Sequence, residues 1–492
     1  MKRILFTIAL SLTLTLSFAQ GAIDALRFST TTFNGDARYM GMSGAFGALG
    51  ANTSVMSTNP AGLGLYQRSD FSISTSFVDT KVESTYNSSF ASDSRFNFSF
   101  NNLAVVFSND YLNIRPSGYW KNFQVGIGFN QIKNFNNRTL IRGNNTSNSI
   151  ADMYAEIAEG IHWEDIENDL SGNYAFDLNP AWWSFMFSQD GTATSSFVGH
   201  DPAGGVLQTK LIESWGYLNE FSLAFSASYA DRIYIGASLG MPVLNFHQRV
   251  TYQEDALEST ISTDAYRTAL VQDYLDTEGL GVNLKLGMIY RPNDMFRFGF
   301  ALHTPTYYPG LNDQWSKVIT TEWDIHETSQ NSSPLGNFAY DLSTPMRLIG
   351  SVAFIIGKFG LISADYEYVD YSTAKFSASG YSFIDENSEI KNFYTNTTNI
   401  RLGTEWRVMN FAVRGGFAYY GSPFADNGND ASIKSYSLGT GYKERNFYMD
   451  LAWVYSDKTE DQYLYGFGAV ATNAASSNTM ISNFTFTVGF RF

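Results

Sequence analysis

The side chains able to do chemistry are few and badly spaced for catalysis. The five histidines, His162, His200, His247, His303 and His326, form neither an HExxH pair nor another metal-ligating pattern. Gly439-Thr440-Gly441 reads as glycines within a strand, not as a nucleotide loop. Asp426 to Asp430 offers calcium-type oxygens but no closing Glu at the right distance, so it reads as a polar turn. No enzyme, cofactor or metal is expected. Binding is the better use of the charges. Arg347, Asp365, Glu367, Arg401, Glu405, Arg407 and Arg414 alternate with apolar residues, as an inward-facing set bridging neighbouring strands would. An arginine such as Arg347 or Arg401 could receive a ligand carboxylate through charge-assisted hydrogen bonds. Trp182, Trp183, Phe185 and Phe187 are a second candidate ligand set. With the helical pattern at Ile150 to Ile161 they could form an apolar capture groove, or simply pack the inside of a long loop.

The elements that hold these residues are strands. The chain ends on FTFTVGFRF: Phe484, Phe486, Val488, Phe490 and Phe492 form one apolar face, against Thr485, Thr487, Gly489 and Arg491. A flat apolar edge at an open terminus invites aggregation in water, whereas a closed barrel in lipid has no edge. The terminal Phe also matches the signal that barrel-insertion machinery reads. Parity places other faces. Ile362, Ala364, Tyr366 and Tyr368 oppose Ser363, Asp365 and Glu367, and Ile400, Leu402, Trp406 and Val408 oppose Arg401, Glu405 and Arg407. A charge facing lipid near mid-membrane costs roughly 2–4 kcal/mol, so the charged sets should face the lumen.

Lys2 and Arg3 precede the apolar run Ile4 to Leu16, followed by small residues at Ser17 and Ala19. This is a secretory signal peptide, removed after about residue 20. The sequence has no Cys, hence no lipoprotein anchor and no disulfide. Nowhere do about 18 apolar residues run together as a spanning helix would need. Aromatics make up 16% of the chain, with 40 Phe and 30 Tyr against 11 Pro, which fits many strands with aromatic girdles. A net charge of −15 argues against nucleic acid as a partner. The expected surroundings are outer-membrane lipid, with the protein monomeric.

From Asp70 to Phe492 about 14 strands can be placed. Tight turns are expected at Ala230-Asp231, Arg291 to Asp294, Gly357-Lys358, Val408 to Asn410 and Lys443 to Asn446, with a longer one at Asn109 to Gly118. Long polar loops are expected at Lys81 to Asp93, Gly143 to Gly216, Glu254 to Glu278, Thr306 to Asn337, Ser377 to Thr395, Ala425 to Ala431 and Asp457 to Met480. This asymmetry is that of an outer-membrane barrel with extracellular loops and both termini periplasmic. Asn148 to Leu170, and more weakly Leu257 to Leu275, have helical spacing. Gly126 and Gly128 could permit a kink in the third strand.

Residues 21–69 resist strand assignment. They hold Gly41-Met42-Ser43-Gly44-Ala45-Phe46-Gly47-Ala48-Leu49-Gly50 and then Asn59-Pro60-Ala61-Gly62-Leu63, small-residue segments that could fold compactly inside a lumen. Here the chain resembles the FadL/TodX family of outer-membrane transporters for hydrophobic compounds, including its Bacteroides-group relatives. Thr344 to Phe354, Ser363 to Ser372 and Arg401 to Phe424 extend the likeness over the mature chain. The resemblance implies an all-β, 14-stranded transmembrane barrel plugged by an N-terminal hatch. It also implies passive uptake of small hydrophobic molecules, long-chain fatty acids or other apolar ligands, with sideways exit near a kinked strand. Phe46 would then join the ligand-binding set. One departure is that the family often has an acidic residue where this chain has Ala51-Asn52-Thr53-Ser54. A general porin, and a structural or adhesin-like barrel, are the alternatives.

Overall fold

The computed structural model describes residues 21–109, 118–258, 265–426 and 428–492. The signal-peptide expectation, most of the Asn109 to Gly118 turn and part of the Leu257 to Leu275 segment lie outside them. The last strand closes the molecule as its pattern requires. It pairs with the first from Asp70↔Arg491 to Thr85↔Ser476. Phe484, Phe486 and Phe490 are exposed outward, Thr487 is buried against Ser74, and Arg491 turns inward to Asp70.

Between these ends runs an antiparallel barrel of fourteen strands. They are β1 (Asp70–Tyr86), β2 (Ser89–Phe107), β3 (Trp120–Asn134, continued by Asn137–Asn145), β4 (Val206–Tyr229) and β5 (Ile233–Ala256). Then come β6 (Thr268–Leu280, then Asn283–Tyr290), β7 (Phe296–His303, then Tyr307–Glu322), β8 (Gly336–Ser343, then Arg347–Ile356) and β9 (Gly360–Asp370). The set ends with β10 (Asn396–Val408), β11 (Phe411–Tyr420), β12 (Ile433–Lys443), β13 (Phe447–Tyr463) and β14 (Ala474–Arg491). Ile362, Tyr366, Tyr368, Ile400, Leu402 and Trp406 point out, while Asp365, Glu367, Arg401 and Glu405 are buried inward. An outward apolar belt over an inward polar face defines a transmembrane barrel.

Several expected loops are strand instead. Lys81 to Asp93 is a hairpin turned tightly at Asn87 and Ser88, both at positive φ. Most of Glu254 to Glu278, Thr306 to Asn337 and Asp457 to Met480 is ladder too, and Thr268–Leu280 replaces the weaker helical expectation. The reason is length. β4 has 24 residues, about 80 Å at about 3.3 Å each, against an apolar belt about 25 Å tall. The wall outside the membrane faces water on its outer surface, so its polar composition imitates a loop.

Residues 21–69 fill the lumen. Helix α1 (Ala22–Ser29) lies at the long-loop end, packed under the helix of the β9–β10 connection, Ile384–Phe393. The segment then descends through α2 (Ala37–Met40) and two 3-10 turns, Thr53–Ser57 and Pro60–Leu65, to Ser69 at the tight-turn end. Residue 21 thus lies at the long-loop side and Phe492 at the tight-turn side, because the plug crosses the lumen before β1 begins. Polar caps start the turns: Asp36 accepts from Tyr39 N, Asn52 from Ser54 N and Asn59 from Ala61 N. Asn59 also donates to the Gly47 carbonyl at 2.6 Å, tying both small-residue motifs together. The wall answers with glycine. A Cβ on Gly299 would lie 2.2 Å from the Gly47 oxygen, and one on Gly287 would lie 2.0 Å from Asn59 Oδ1. Gly299→Val should therefore push the hatch off the wall and cost about 1–3 kcal/mol, read as a lower urea midpoint for the barrel refolded in vesicles.

Gly126 and Gly128 do not mark the kink. Both lie in unbroken register with β2 and β4, and their missing side chains make room for Met56 of the hatch. The register of β3 shifts instead between Gln131 and Lys133.

Candidate functional site

The β3–β4 connection forms a cap of three helices: α3 (Ile150–Ala158), α4 (Trp163–Glu167) and α5 (Leu178–Trp183). Ser149 and Asp152 close a capping box at the start of α3. Beneath it lies a buried carboxylate absent from the candidate list. Glu254 accepts from Tyr266 Oη (2.5 Å), Tyr252 Oη, Gln208 Nε2 (2.9 Å) and the Ile150 amide (3.1 Å). In the sequence it is one acid of the polar run Gln253-Glu254-Asp255, indistinguishable from a loop charge. The Trp/Phe cluster divides in two. Trp182 stacks on Trp163 and meets Phe187 and Phe197 edge-on, so Trp182 and Phe187 are cap core. Trp183 and Phe185 face outward, 43% and 56% exposed, and Phe185 is held at φ 56°.

Helix α6 (Ile384–Phe393), in the β9–β10 connection, covers α1. Burial first, then the charges of Glu386 and Asp385, push the Glu389 carboxyl up to about 7. The folded loop thus binds a proton more tightly than the unfolded chain does. Its stabilisation is present at low pH and fades as pH rises from about 4.5 toward about 7. Protection factors across Ile384–Phe393, each taken relative to the intrinsic exchange rate at its own pH, should be lower at pH 8 than at pH 5, and Glu389→Gln should remove the difference.

In the lumen the charged strand residues meet as read, and they hold the hatch. Glu367 accepts from Arg347 Nη1 (2.6 Å), Arg401 Nη1 (3.1 Å) and Asn399 (3.0 Å). Arg347 Nη2 donates to the Ser29 carbonyl at the end of α1 (2.6 Å), and Asp365 accepts from the Gly47 amide. Lower down, Glu405 receives Arg38 of the hatch (2.8 Å), Arg414 (2.7 Å) and Arg407 (2.5 Å), and Arg414 continues to Asp450 (2.6 Å). Sequence reading missed the Lys285–Glu220 pair (2.5 Å) and His303, whose Nε2 lies 2.7 Å from the Thr58 carbonyl. A polar cavity of about 120 Å³ lies between these groups, lined by both Arg347 and Arg401. Nε and Nη2 of Arg401 are buried there without a hydrogen-bond partner. Phe46 lies outside this cavity, packed between Tyr39 and Arg38. Asn59, Pro60, Ala61 and Gly62 are likewise hatch structure.

The wall has a weak seam between β2 and β3. β2 pairs with β3 only from Asn102↔Asn130 to Phe107↔Val125. Above that, Ser89 to Asn101 has no backbone ladder to β3. A bulge in β2 beside Ser74/Thr75 and the β3 shift at Gln131/Lys133 flank the break. Side chains alone span it: Ser99 Oγ donates to Gln131 Oε1, and Arg138 pairs with Asp93 at 3.1 Å. Phe96 and Phe98 of β2 are exposed on the outer side. Inside, Phe28 of α1 packs with Phe135 and Phe246, ring centres 5.1–6.2 Å apart. The seam thus has aromatic groups on both sides.

Fold and site together define a plugged transmembrane β-barrel, closed axially and weak at one place in its wall. No family model matches the chain, and no curated protein matches its sequence. Among solved structures it has the fold of a FadL homologue from Pseudomonas aeruginosa, at 10% identity and TM-score 0.57, over 94% of this chain and 100% of that one. The same holds for the toluene transporter TodX of Pseudomonas putida (11% identity, TM-score 0.51, 94% and 99%). It holds also for the monoaromatic hydrocarbon channel CymD (14% identity, TM-score 0.50, 93% and 97%).

Proposed function

We propose that this protein is an outer-membrane channel for passive uptake of small hydrophobic molecules, released sideways through the β2–β3 seam. The observation that carries this reading is the seam, a wall without ladder whose two faces are aromatic. An apolar solute gains about 25 cal/mol per Å² by leaving water, so a path ending in lipid needs no coupled energy. The long loops face outside, Phe492 faces the periplasm, residues 1–20 are removed, 21–69 are the hatch and 70–492 the barrel.

Capture begins at Trp183 and Phe185. The Phe28–Phe135–Phe246 group offers an apolar step behind the seam, and Arg401 receives a polar head, a carboxylate in the case of a fatty acid. The double variant Trp183→Ala with Phe185→Ala should leave the barrel folded, since neither side chain is core. It should raise the concentration for half-maximal uptake several-fold without lowering the maximal rate. Uptake of a labelled fatty acid and of labelled toluene into proteoliposomes tests the reading. Passage of sugars with no uptake of either probe would mean a general porin. Loop-dependent adhesion without uptake would mean a surface-binding barrel.

A further inference from the structure

The larger cavity lies at the other end of the lumen and is unlike the apolar path. About 480 Å³ opens at the tight-turn end, between hatch residues Leu49 to Asn52 and the wall of β7 and β10 to β14. Its cationic side chains are Arg38, Arg297, Arg407, Arg414, Lys443 and Arg491, against four carboxylates. Three of the carboxylates are already committed, and the fourth, Glu444, is an exposed residue of the β12–β13 turn. Glu405 serves three guanidiniums, Asp450 is held by Arg414, and Asp36 accepts from Ser54 and Tyr39 inside the hatch. Arg297 is left over. It donates through Nη1 to the Leu49 carbonyl (2.7 Å), and its Nε is buried with no hydrogen-bond partner. Its charged neighbours Arg291, Arg38 and Arg407 have its own sign. Lys443, on the far rim, makes no ion pair among the described residues.

A guanidinium stays protonated in any protein and presents five donors in a planar fork. Holding one with an unused, shielded donor among like charges is costly unless an acceptor with negative charge completes it. From this we infer that the vestibule binds an oxyanion, a phosphate or carboxylate group, clamped by Arg297 with Arg38 and Arg407 around it. Because Arg38 and Leu49 belong to the hatch and Arg297 and Arg407 to the wall, the anion bridges the two. The inference is independent of what the channel carries. Two sources share this chemistry: a soluble organic anion, and the headgroup of an anionic lipid in the inner leaflet.

Equilibrium dialysis of radiolabelled inorganic phosphate against the protein in nonionic detergent tests the first source. Native mass spectrometry after incubation with equal phosphatidylglycerol and phosphatidylethanolamine tests the second. Binding of phosphate at one per chain, or selective retention of phosphatidylglycerol, is the expected result. Arg297→Gln should weaken it at least tenfold. Arg232→Gln should not change it, since Arg232 lies in the tight β4–β5 turn at the same end, outside the cavity and not among the charged neighbours of Arg297. Should Arg297→Gln not fold, Lys443→Gln should weaken binding several-fold. Wild-type protein that retains neither probe, or retention unchanged by the cavity substitutions, would overturn the inference.

Discussion

Bridging position 99 to position 131 should stop uptake of apolar solutes while leaving the barrel intact. The chain has no native cysteine, so Ser99→Cys with Gln131→Cys gives one addressable pair across the seam. Their side chains already touch, which puts the two thiols within reach of a short thiol-reactive linker. Above Asn102 and Asn130 nothing but side chains joins β2 to β3. Opening there means separating a few side-chain contacts: the exposed Arg138–Asp93 pair, worth about 0–1 kcal/mol, and the buried Ser99–Gln131 hydrogen bond, about 0.5–1.5 kcal/mol. Opening any laddered part of the wall would expose unpaired backbone groups to lipid, several kcal/mol apiece. The covalent bridge should thus reduce the initial rate at least tenfold, with recovery on cleavage of the linker. A bridge in the laddered region, between the outward-facing positions 105 and 127, should change nothing. Undiminished uptake through the bridged seam would mean that solutes leave elsewhere.

The second large effect is on stability. Glu405→Gln should cost about 3–5 kcal/mol, because it removes a buried carboxylate shared by three guanidiniums, of which Arg38 and Arg414 are largely shielded. Glu405 is 1% exposed and takes Arg38, Arg407 and Arg414 at once. Loss of Arg38's partner also detaches the hatch from β10, so the variant should leak ions in planar bilayers where the parent protein does not. Arg407→Gln is the informative contrast. Its side chain is 48% exposed, and its removal should cost no more than about 1 kcal/mol. Urea midpoints of the refolded proteins in vesicles measure both. Equal midpoints for the two variants would show that the buried cluster does not hold the plug.

The residues legible in advance were those whose role is set by period 2. The Phe484 to Phe492 face, the outward Ile362 to Tyr368 set and the inward Asp365, Glu367, Arg401 and Glu405 follow from one rule. Charges on a lipid-facing wall are too costly, and strand geometry sends alternate residues to opposite sides. The hatch was legible from the small residues of Gly41 to Gly50 together with the family resemblance, since short side chains let a backbone lie close to a wall, as Gly47 does against Gly299. Ala230-Asp231 and the other tight turns were readable because short polar breaks between apolar alternations leave the chain no other course.

What the sequence determined, then, is the alternation of faces, fixed by neighbours one or two residues apart, and an approximate strand number, set by the spacing of turns, while the plug followed from the small-residue segments and the resemblance they carry. Tertiary structure alone decided which partners those faces met. Trp182 and Phe187 became core while Trp183 and Phe185 stayed outside, since the helical fold of the cap sorts adjacent aromatics. The break in the wall fell after Asn130 rather than at Gly126 and Gly128, because ladder pairing depends on β2, more than twenty residues away in the chain. Arg297 sits in an ordinary alternating strand and gives no local sign of its isolation. Only the closure of the barrel around the hatch brings it beside Arg38 and Arg407, where every buried carboxylate already has partners. Charge balance is a property of an enclosed volume, and a linear order of residues does not contain it.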